Sequence, residues 1–259
     1  ASDVYKRQSL AAFLMKKPVR VALTREESIC MHPKRHPLTM EIEMGCDSNG
    51  RFTFVKSDII GDTGAYASVG MKVLERAAGH ATGAYHVDAV EVRSRAVYTN
   101  NIPCGAMRGF GVNQINFAVE SCVDELCEMG GFDRWQIRYD NALTPGGMTS
   151  TGQVLQSGIG IRKTLEAVKD VFQQSRHAGI ACGIKNTGIG NGVPDTGKVK
   201  IVIESPERIL IHQGWTEMGQ GVYTMAVQFF CEVTGLSPEI VEVRVDTAEE
   251  SESLSLIHI

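Results

Sequence analysis

The stretch NIPCGAMRGFGVNQ, Asn101 to Gln114, decides how this chain is read. Before it, Val87 to Val97 alternates in character at every second residue, as a half-buried strand does. After it, Ile115, Val119, Cys122 and Leu126 recur at spacings of three and four, the mark of an amphipathic helix from about Asn113 to Met129. The stretch therefore predicts a glycine turn that carries a strand into a helix. A second stretch of this kind, HQGWTEMGQG from His212 to Gly221, joins Ile209–His212 to a helical pattern through Val222, Ala226, Phe229, Phe230 and Val233. Glycine lets a backbone take positive φ and approach a ligand closely. Amides at a helix start receive an anion. Both stretches read as cradles for a phosphate or a cofactor.

Outward from the first turn, Leu38, Met40, Ile42 and Met44 alternate, Ser48-Asn49-Gly50 turns, and Phe52 to Ile60 returns, which predicts a hairpin. Gly61 to Ser68, GDTGAYAS, reads as a loop, and Val19 to Leu23 as a short strand. Gly130-Gly131 ends the helix, Phe132 to Tyr139 begins another, and Asn141 to Gly152 reads as a domain linker. Ile161, Leu165, Val168 and Phe172 predict one more helix, and the pattern turns strand-like after Gly179. Gly188 to Gly197 reads as a loop. Val199, Ile201 and Ile203 share a strand face, Pro206-Glu207 turns, Gly235 closes the last helix, and Ile240 to Val245 forms a final strand. Strands followed by a helix, twice over, predict an α+β chain of two mixed domains, residues 1–145 and 146–259.

The 259 residues suffice for two domains, and 43% hydrophobic with 22% charged residues describes a globular chain. A net charge of -4 argues against a nucleic-acid partner. No apolar run approaches the roughly 20 residues of a membrane span. Seven cysteines without a C-x-x-C pair argue against zinc or iron–sulfur ligation and for a reducing, cytoplasmic location. His32/His36 and His80/His86 offer no third ligand nearby. Both ends look abrupt, and the tail EESESLSLIHI has no evident place, so a piece of a longer protein is expected, with non-native residues at its ends.

Among the side chains of the cradles, Arg108 stands among small residues and can bind a phosphate or carboxylate through two bonds; a structural salt bridge is the plain alternative. Phe110, flanked by Gly109 and Gly111, can stack on a planar ligand or simply pack in the core. Gln220, bracketed by Gly219 and Gly221, can donate and accept at once, or only brace its loop. Glu217 reads as a helix-start charge two residues into the helix rather than an acid or base. Arg76, in LERAAG, reads alone as a solvated or paired arginine. GIGIR from Gly158 lacks the preceding strand of a dinucleotide site.

With these residues in hand, the chain resembles the molybdenum-binding subunit or domain of the xanthine dehydrogenase/aldehyde oxidase family over roughly Val19 to Asp246. The resemblance rests on RHPLTMEIEMG from Arg35, GDTGAYAS from Gly61, LERAAG from Leu74, IPCGAMRGFGVNQ from Ile102 and GWTEMGQG from Gly214. It implies two mixed α/β domains of the molybdopterin-binding type with the cofactor at their interface. It implies oxidative hydroxylation of a purine or related N-heterocycle with water as the oxygen source. The expected cofactor is a molybdenum-pyranopterin (molybdopterin, in plain or cytosine-dinucleotide form) that holds the metal without a protein side chain. A 2Fe-2S centre and FAD are expected on partner domains or subunits, with no nucleic acid and no membrane. By resemblance Arg108, Gly109, Phe110, Gly111, Gly219, Gln220 and Gly221 bind the cofactor. Phe110 packs on the substrate, and Arg76 orients it and stabilises the charge that grows on it, so Arg76 and Arg108 carry the catalytic expectation. An aldehyde- or aromatic-oxidising relative, or a non-catalytic cofactor-binding scaffold, is the alternative. The family's catalytic glutamate is expected downstream of this chain and its GGFGG-type loop upstream. No second substrate-packing aromatic is evident near Lys185 to Gly197, and the chain alone is expected to be inactive.

Overall fold

The computed structural model describes residues 2–186 and 197–245. The terminal tail and all but the last residue of the Gly188–Gly197 loop lie outside the described residues. The chain packs as two compact units, residues 1–185 and 186–259.

The first unit opens with two helices, α1 (Ser2–Met15) and α2 (Arg25–Met31). The short strand expected at Val19–Leu23 does not form; those residues are irregular and lead into α2. The reason is local. The Thr24 hydroxyl accepts from the Glu27 N–H, and the Glu27 carboxylate accepts from the Thr24 N–H, a reciprocal cap that starts a helix just where the apolar run ends.

The hairpin forms as expected: β1 (Leu38–Cys46) pairs antiparallel with β2 (Phe52–Asp62). Helix α3 (Gly70–Ala78) then crosses over, and β3 (Ala89–Val97) joins parallel to β2, giving the order β1-β2-β3. Val55, Ser57, Ile59 and Gly61 of β2 are buried, while Phe54, Lys56 and Ile60 are exposed, so the strand has one inward face. Gly61 must be glycine here. A Cβ would come within 2.3 Å of the Leu74 side chain on α3. Helix α4 (Val112–Gly130) buries Val112, Ile115, Val119, Val123 and Cys127; of the expected stripe Ile115 and Val119 are buried and Cys122 and Leu126 only partly so, and the helix ends on Gly131 in the left-handed region at φ 69°. Burying each such side chain contributes about 1.5–3 kcal/mol.

Helix α5 (Arg134–Asn141), capped by Asp133, lays Arg138 against α4 with no exposure. Arg138 donates to Glu120 and Asp124, each at 2.8 Å, and the Tyr85 hydroxyl donates to Glu120 at 2.5 Å. Helix α6 (Ile161–Gln174) is pinned to α5 by the Trp135 indole N–H, which donates to the Leu165 carbonyl at 2.8 Å. Residues 175–186 form no strand, against the alternating pattern. Ile180, Cys182 and Ile184 do face inward, but they pack on the helical core instead of joining a sheet.

The second unit repeats the logic. β4 (Val199–Ser205) and β5 (Arg208–Gln213) make an antiparallel hairpin, α7 (Val222–Thr234) crosses over, and β6 (Val241–Val245) joins parallel to β5. Gly235 closes α7 at φ 73°. Among the described residues, no helix is long and apolar enough to cross a membrane.

Candidate functional site

The first glycine turn is tied down on two sides. Its approach pairs with Lys34: the Lys34 N–H donates to Pro103 O at 3.1 Å and the Gly105 N–H donates to Lys34 O at 2.9 Å. Arg35 donates to Asn113 Oδ1 at 3.1 Å, and Gln114 Nε2 donates to His36 O at 3.1 Å. Three consecutive residues then take positive φ: Gly109 at 96°, Phe110 at 52° and Gly111 at 96°. A phenylalanine in the left-handed region costs about 1–2 kcal/mol. The half-buried Phe110 side chain, packed against the core, offsets that cost. The glycines serve packing as much as ligand approach. A Cβ on Gly111 would lie 2.3 Å from Val73 O and 3.2 Å from Ala77 N, so the turn is pressed onto α3 beside Arg76.

This packing leaves three features around the turn. Arg108 is exposed and makes no hydrogen bond or ion pair among the described residues. Helix α4 starts on Gly111 without a side-chain cap. The buried oxygens Gln114 Oε1 and Asn116 Oδ1, both in the first turns of α4, have no partner among the described residues. The orientation of Gln114 is fixed, because its other amide atom faces a carbonyl and must be the donor. A cation, uncapped helix amides and orphaned acceptor oxygens suit a ligand that combines a phosphate with N–H donors, as a pterin phosphate does. The residues fit molybdopterin on these observations. Gln114 and Asn116 escaped the sequence reading, although Asn-Gln-Ile-Asn at a glycine-led helix start was the signal.

Arg76 lies in the last turn of α3, half-buried. His80 Nδ1 donates to its carbonyl at 2.8 Å, which fixes the proton on Nδ1 of the neutral ring. Burial first, then the nearby Lys185 and Arg76 charges, lowers the His80 pKa against the raising effect of that bond. Burial and then Arg76 lower the pKa of Lys185. Neither His80 nor Lys185 was singled out as a site residue from sequence.

In the second unit Gly219 and Gly221 take φ 90° and 78°. Glu217 lies five residues before the first residue of α7, not two residues into it. From there its carboxylate accepts from the N–H groups of Gly219, Gly221 and Val222 at 2.6, 3.0 and 2.8 Å. The Gly221 bond leads the causes that hold its pKa below the ordinary carboxylate value. The α7 start, expected to welcome an anion, already holds one of the chain's own. Gln220 turns inward on its loop: Oε1 accepts from the Met218 N–H at 2.5 Å and Nε2 donates to Thr216 O at 2.8 Å. Just upstream, His212 Nδ1 and Nε2 of the fully buried Gln213 have no partner among the described residues. Among the described residues, no group of three His, Cys, Asp or Glu could hold a metal ion.

The structure thus groups Arg76, Arg108, Gly109, Phe110 and Gly111 in the first unit, and Gly219, Gln220 and Gly221 in the second. Two mixed α/β units with glycine turns leading into helices define a cofactor-binding class of α+β protein. Family models for the molybdopterin cofactor-binding domain match residues 6–142 and 155–253. The chain belongs to this molybdopterin-binding family, that of the xanthine dehydrogenases and aldehyde oxidoreductases. It is 42% identical over 162 residues, 62% of its length and 38% of the relative's, to the nicotinate dehydrogenase large molybdopterin subunit of Eubacterium barkeri. It is 30% identical over 256 residues, 95% of its length and 34% of the relative's, to a probable xanthine dehydrogenase subunit of Bacillus subtilis (strain 168). The solved aldehyde oxidoreductase of Desulfovibrio gigas shares the fold with a TM-score of 0.74 at 24% identity, over 91% of this chain and 27% of that one. The chain spans a little over a third of the length of these two curated relatives.

Proposed function

We propose that the chain is part of the molybdenum-binding portion of an oxidoreductase that hydroxylates a purine or related N-heterocycle, with water as the oxygen source. The observation that carries this reading is the first glycine turn, which holds an exposed Arg108 at the uncapped start of α4 and presses its backbone onto α3 beside Arg76. Bound molybdopterin would supply the two-electron oxidation. The protein's part is to hold and orient. Arg108 and the α4 amides would hold the anionic end of the cofactor, and Gln114 Oε1 would offer it an acceptor. Phe110 packs on the flat substrate. Arg76, a half-buried cation in the last turn of α3, would stabilise negative charge that builds on the ring. Gln220 reaches the cofactor by exchanging its bonds to Met218 and Thr216 for bonds to it.

The division into cofactor-binding domains falls near residue 145 in this reading. Electrons leave through an iron–sulfur centre and a flavin on partner domains or subunits, and the enzyme works in the cytoplasm, which seven free cysteines suit. The cytosine-dinucleotide form of the cofactor is part of the same proposal, as is the inactivity of this stretch without the rest of its protein. The N-heterocycle choice draws support from the nicotinate dehydrogenase relative. An aldehyde-oxidising enzyme is the second reading, supported by the 26% identity over 223 residues to an aldehyde oxidoreductase of Megalodesulfovibrio gigas.

Metal and pterin analysis of the purified full-length protein, followed by a panel of purines, pyridines and aldehydes, tests the reading. Stoichiometric molybdenum with pterin, and turnover of a heterocycle, are expected. Neither metal nor pterin in an intact preparation would overturn it. Replacing Arg76 with Ala is expected to impair heterocycle oxidation more than aldehyde oxidation, and equal losses would remove its orienting role.

A further inference from the structure

Gln213 is the last residue of β5, the middle strand of the second unit. β5 and β6 run parallel, and the C-terminal ends of such strands are where open α/β sheets receive ligands. In register beside Gln213, on the same sheet face, stand Val199 of β4 and Val245 of β6, which are 45% and 51% exposed. Gln213 itself has no exposure. The turn that follows folds back on it. The Trp215 N–H donates to Gln213 Oε1 at 2.5 Å, and the Trp215 indole lies against Gly197. That bond fixes the amide, because only its oxygen can accept from an N–H. Nε2, with two hydrogens, is then a buried donor without an acceptor among the described residues. A donor buried in this way is costly until something receives it. Gln220 is the opposite case, since both of its amide atoms are bonded within its own loop. His212 points to the other face of the strand and takes no part.

We propose that Gln213 is a binding residue of the second unit, whose Nε2 donates to a neutral acceptor oxygen, the ring carbonyl of a pterin. The inference rests on the proposed function and adds to it a residue and the part of the cofactor that this residue reads. The choice of a neutral acceptor follows from charge. The segment from His212 to Gly221 contains no lysine or arginine, and its one carboxylate, Glu217, already holds the start of α7. A phosphate here would meet that carboxylate without a lysine or arginine of the turn to offset it, whereas a carbonyl brings no net charge. One polar group between apolar side chains, here Val199 and Val245, is the pattern that orients a flat heterocycle. Because Gln213 is fully buried with Trp215 bonded to its other amide atom, binding displaces the turn rather than filling an open cleft.

Titration of the cofactor-free full-length protein with pterin, and with 2-aminopteridine, which lacks the ring carbonyl, tests this without turnover. Pterin is expected to bind about 3- to 10-fold more tightly, the size of one neutral hydrogen bond. Gln213→Met is expected to erase that preference by weakening pterin alone, and to leave the urea midpoint of the ligand-free protein nearly unchanged, since it removes an unpaired donor. A glutamine that only braced the turn would lower the midpoint and spare the preference. Gln213→Thr, a good strand former with a shorter reach, is a second variant expected to lose the preference as well. Equal affinity of the parent protein for the two ligands, binding of neither, or a preference that survives both substitutions overturns the assignment. Competition by inorganic phosphate would mark an anion site and overturn the neutral acceptor. Molybdenum analysis of the protein as purified separates the two claims. Full metal without a carbonyl preference sinks the role of Gln213 and spares the enzyme reading. A protein without metal sinks the enzyme reading, and the titration still decides Gln213.

Discussion

Gly111 and Gly131 flank the same helix, and both have positive φ, yet they bear different loads. A Cβ on Gly111 meets the Val73 carbonyl at 2.3 Å, whereas one on Gly131 meets nothing within 4 Å. Replacing Gly111 with Ala is expected to cost about 2–5 kcal/mol, strain plus a forced shift of α3. Replacing Gly131 with Ala is expected to cost about 1 kcal/mol, the left-handed penalty alone. Urea midpoints measure both, and equal losses would remove the role given to α3. Glu217 makes a pH-dependent case. Folding depresses its pKa from the ordinary value of 4.5. Its contribution is therefore complete above that value and is lost as pH falls through the lower, folded value. Glu217→Gln is expected to destabilise the second unit at pH 7 and to match the parent protein only once the pH is low enough to protonate Glu217 in the folded state as well. Trp215 fluorescence during denaturation, in a Trp135→Phe background, reads this out, and a difference that persists at low pH would count against the cap. At this scale the sequence disclosed the strained Gly-Phe-Gly turn and the structural role of Glu217. It hid the inward fold of Gln220, because an amide between glycines looks the same whether it faces a ligand or its own backbone.

The elements are joined by one buried charge network. Arg138 on α5, with no exposed surface, holds Glu120 and Asp124 of α4, and Glu120 also receives the Tyr85 hydroxyl. Burial and then the Glu120 charge push the Tyr85 pKa up, which keeps the phenol a donor. Arg138→Met strands a carboxylate that is nearly buried, so a loss of about 3–5 kcal/mol is expected. Arg138→Met with Glu120→Leu is expected to recover much of it, since a well-packed apolar pair replaces a buried ion pair at little net cost. Thermal or urea unfolding of the two variants decides the matter; a double variant no better than the single one would show that the hydrogen bonds to Tyr85 or Asp124 carry the stability. Legibility followed the same physics. The hairpin was visible because its alternation matches the face it buries, while α6 and α7 were visible from apolar spacing even though Val168, Phe229 and Val233 lie exposed. Helix α2 was visible only as Thr24-Arg25-Glu26-Glu27, a capping signature that the neighbouring Val19–Leu23 run obscured. Residues 180–184 alternate like a strand because they too have one buried side, but burial against helices produces the same pattern as burial in a sheet.

At the scale of the whole chain, the same topology occurs twice: a hairpin, a crossover helix and a third strand parallel to the second. The sequence showed strands followed by a helix twice over but no repeated residues, because each unit fills its sheet face differently, Phe52, Val55 and Ile59 in one and Ile209, Leu210 and Ile211 in the other. Topology also matches the stretches in an unexpected way. HQGWTEMGQG follows the middle strand of its unit, so its counterpart by position is GDTGAYAS after β2, while NIPCGAMRGFGVNQ follows the third strand. The second unit differs further in what it exposes. Met225, Phe229 and Val233, one stripe of α7 at i, i+4 and i+8, are 56%, 69% and 71% exposed. Val199, Ile201 and Ile203 of β4, expected on one strand face, are exposed as well. Apolar surface gathered in this way favours self-association in water. The chain of these 259 residues is therefore expected to bind a hydrophobic dye and to elute from a sizing column above its monomer mass of 28.2 kDa. Replacing Met225, Phe229 and Val233 with Gln, Lys and Glu is expected to lower both signals. The unfolding midpoint should hardly move, because exposed side chains contribute little to burial. A triple variant that loses its fold instead would place those side chains in the core of the second unit, contrary to their exposure on α7.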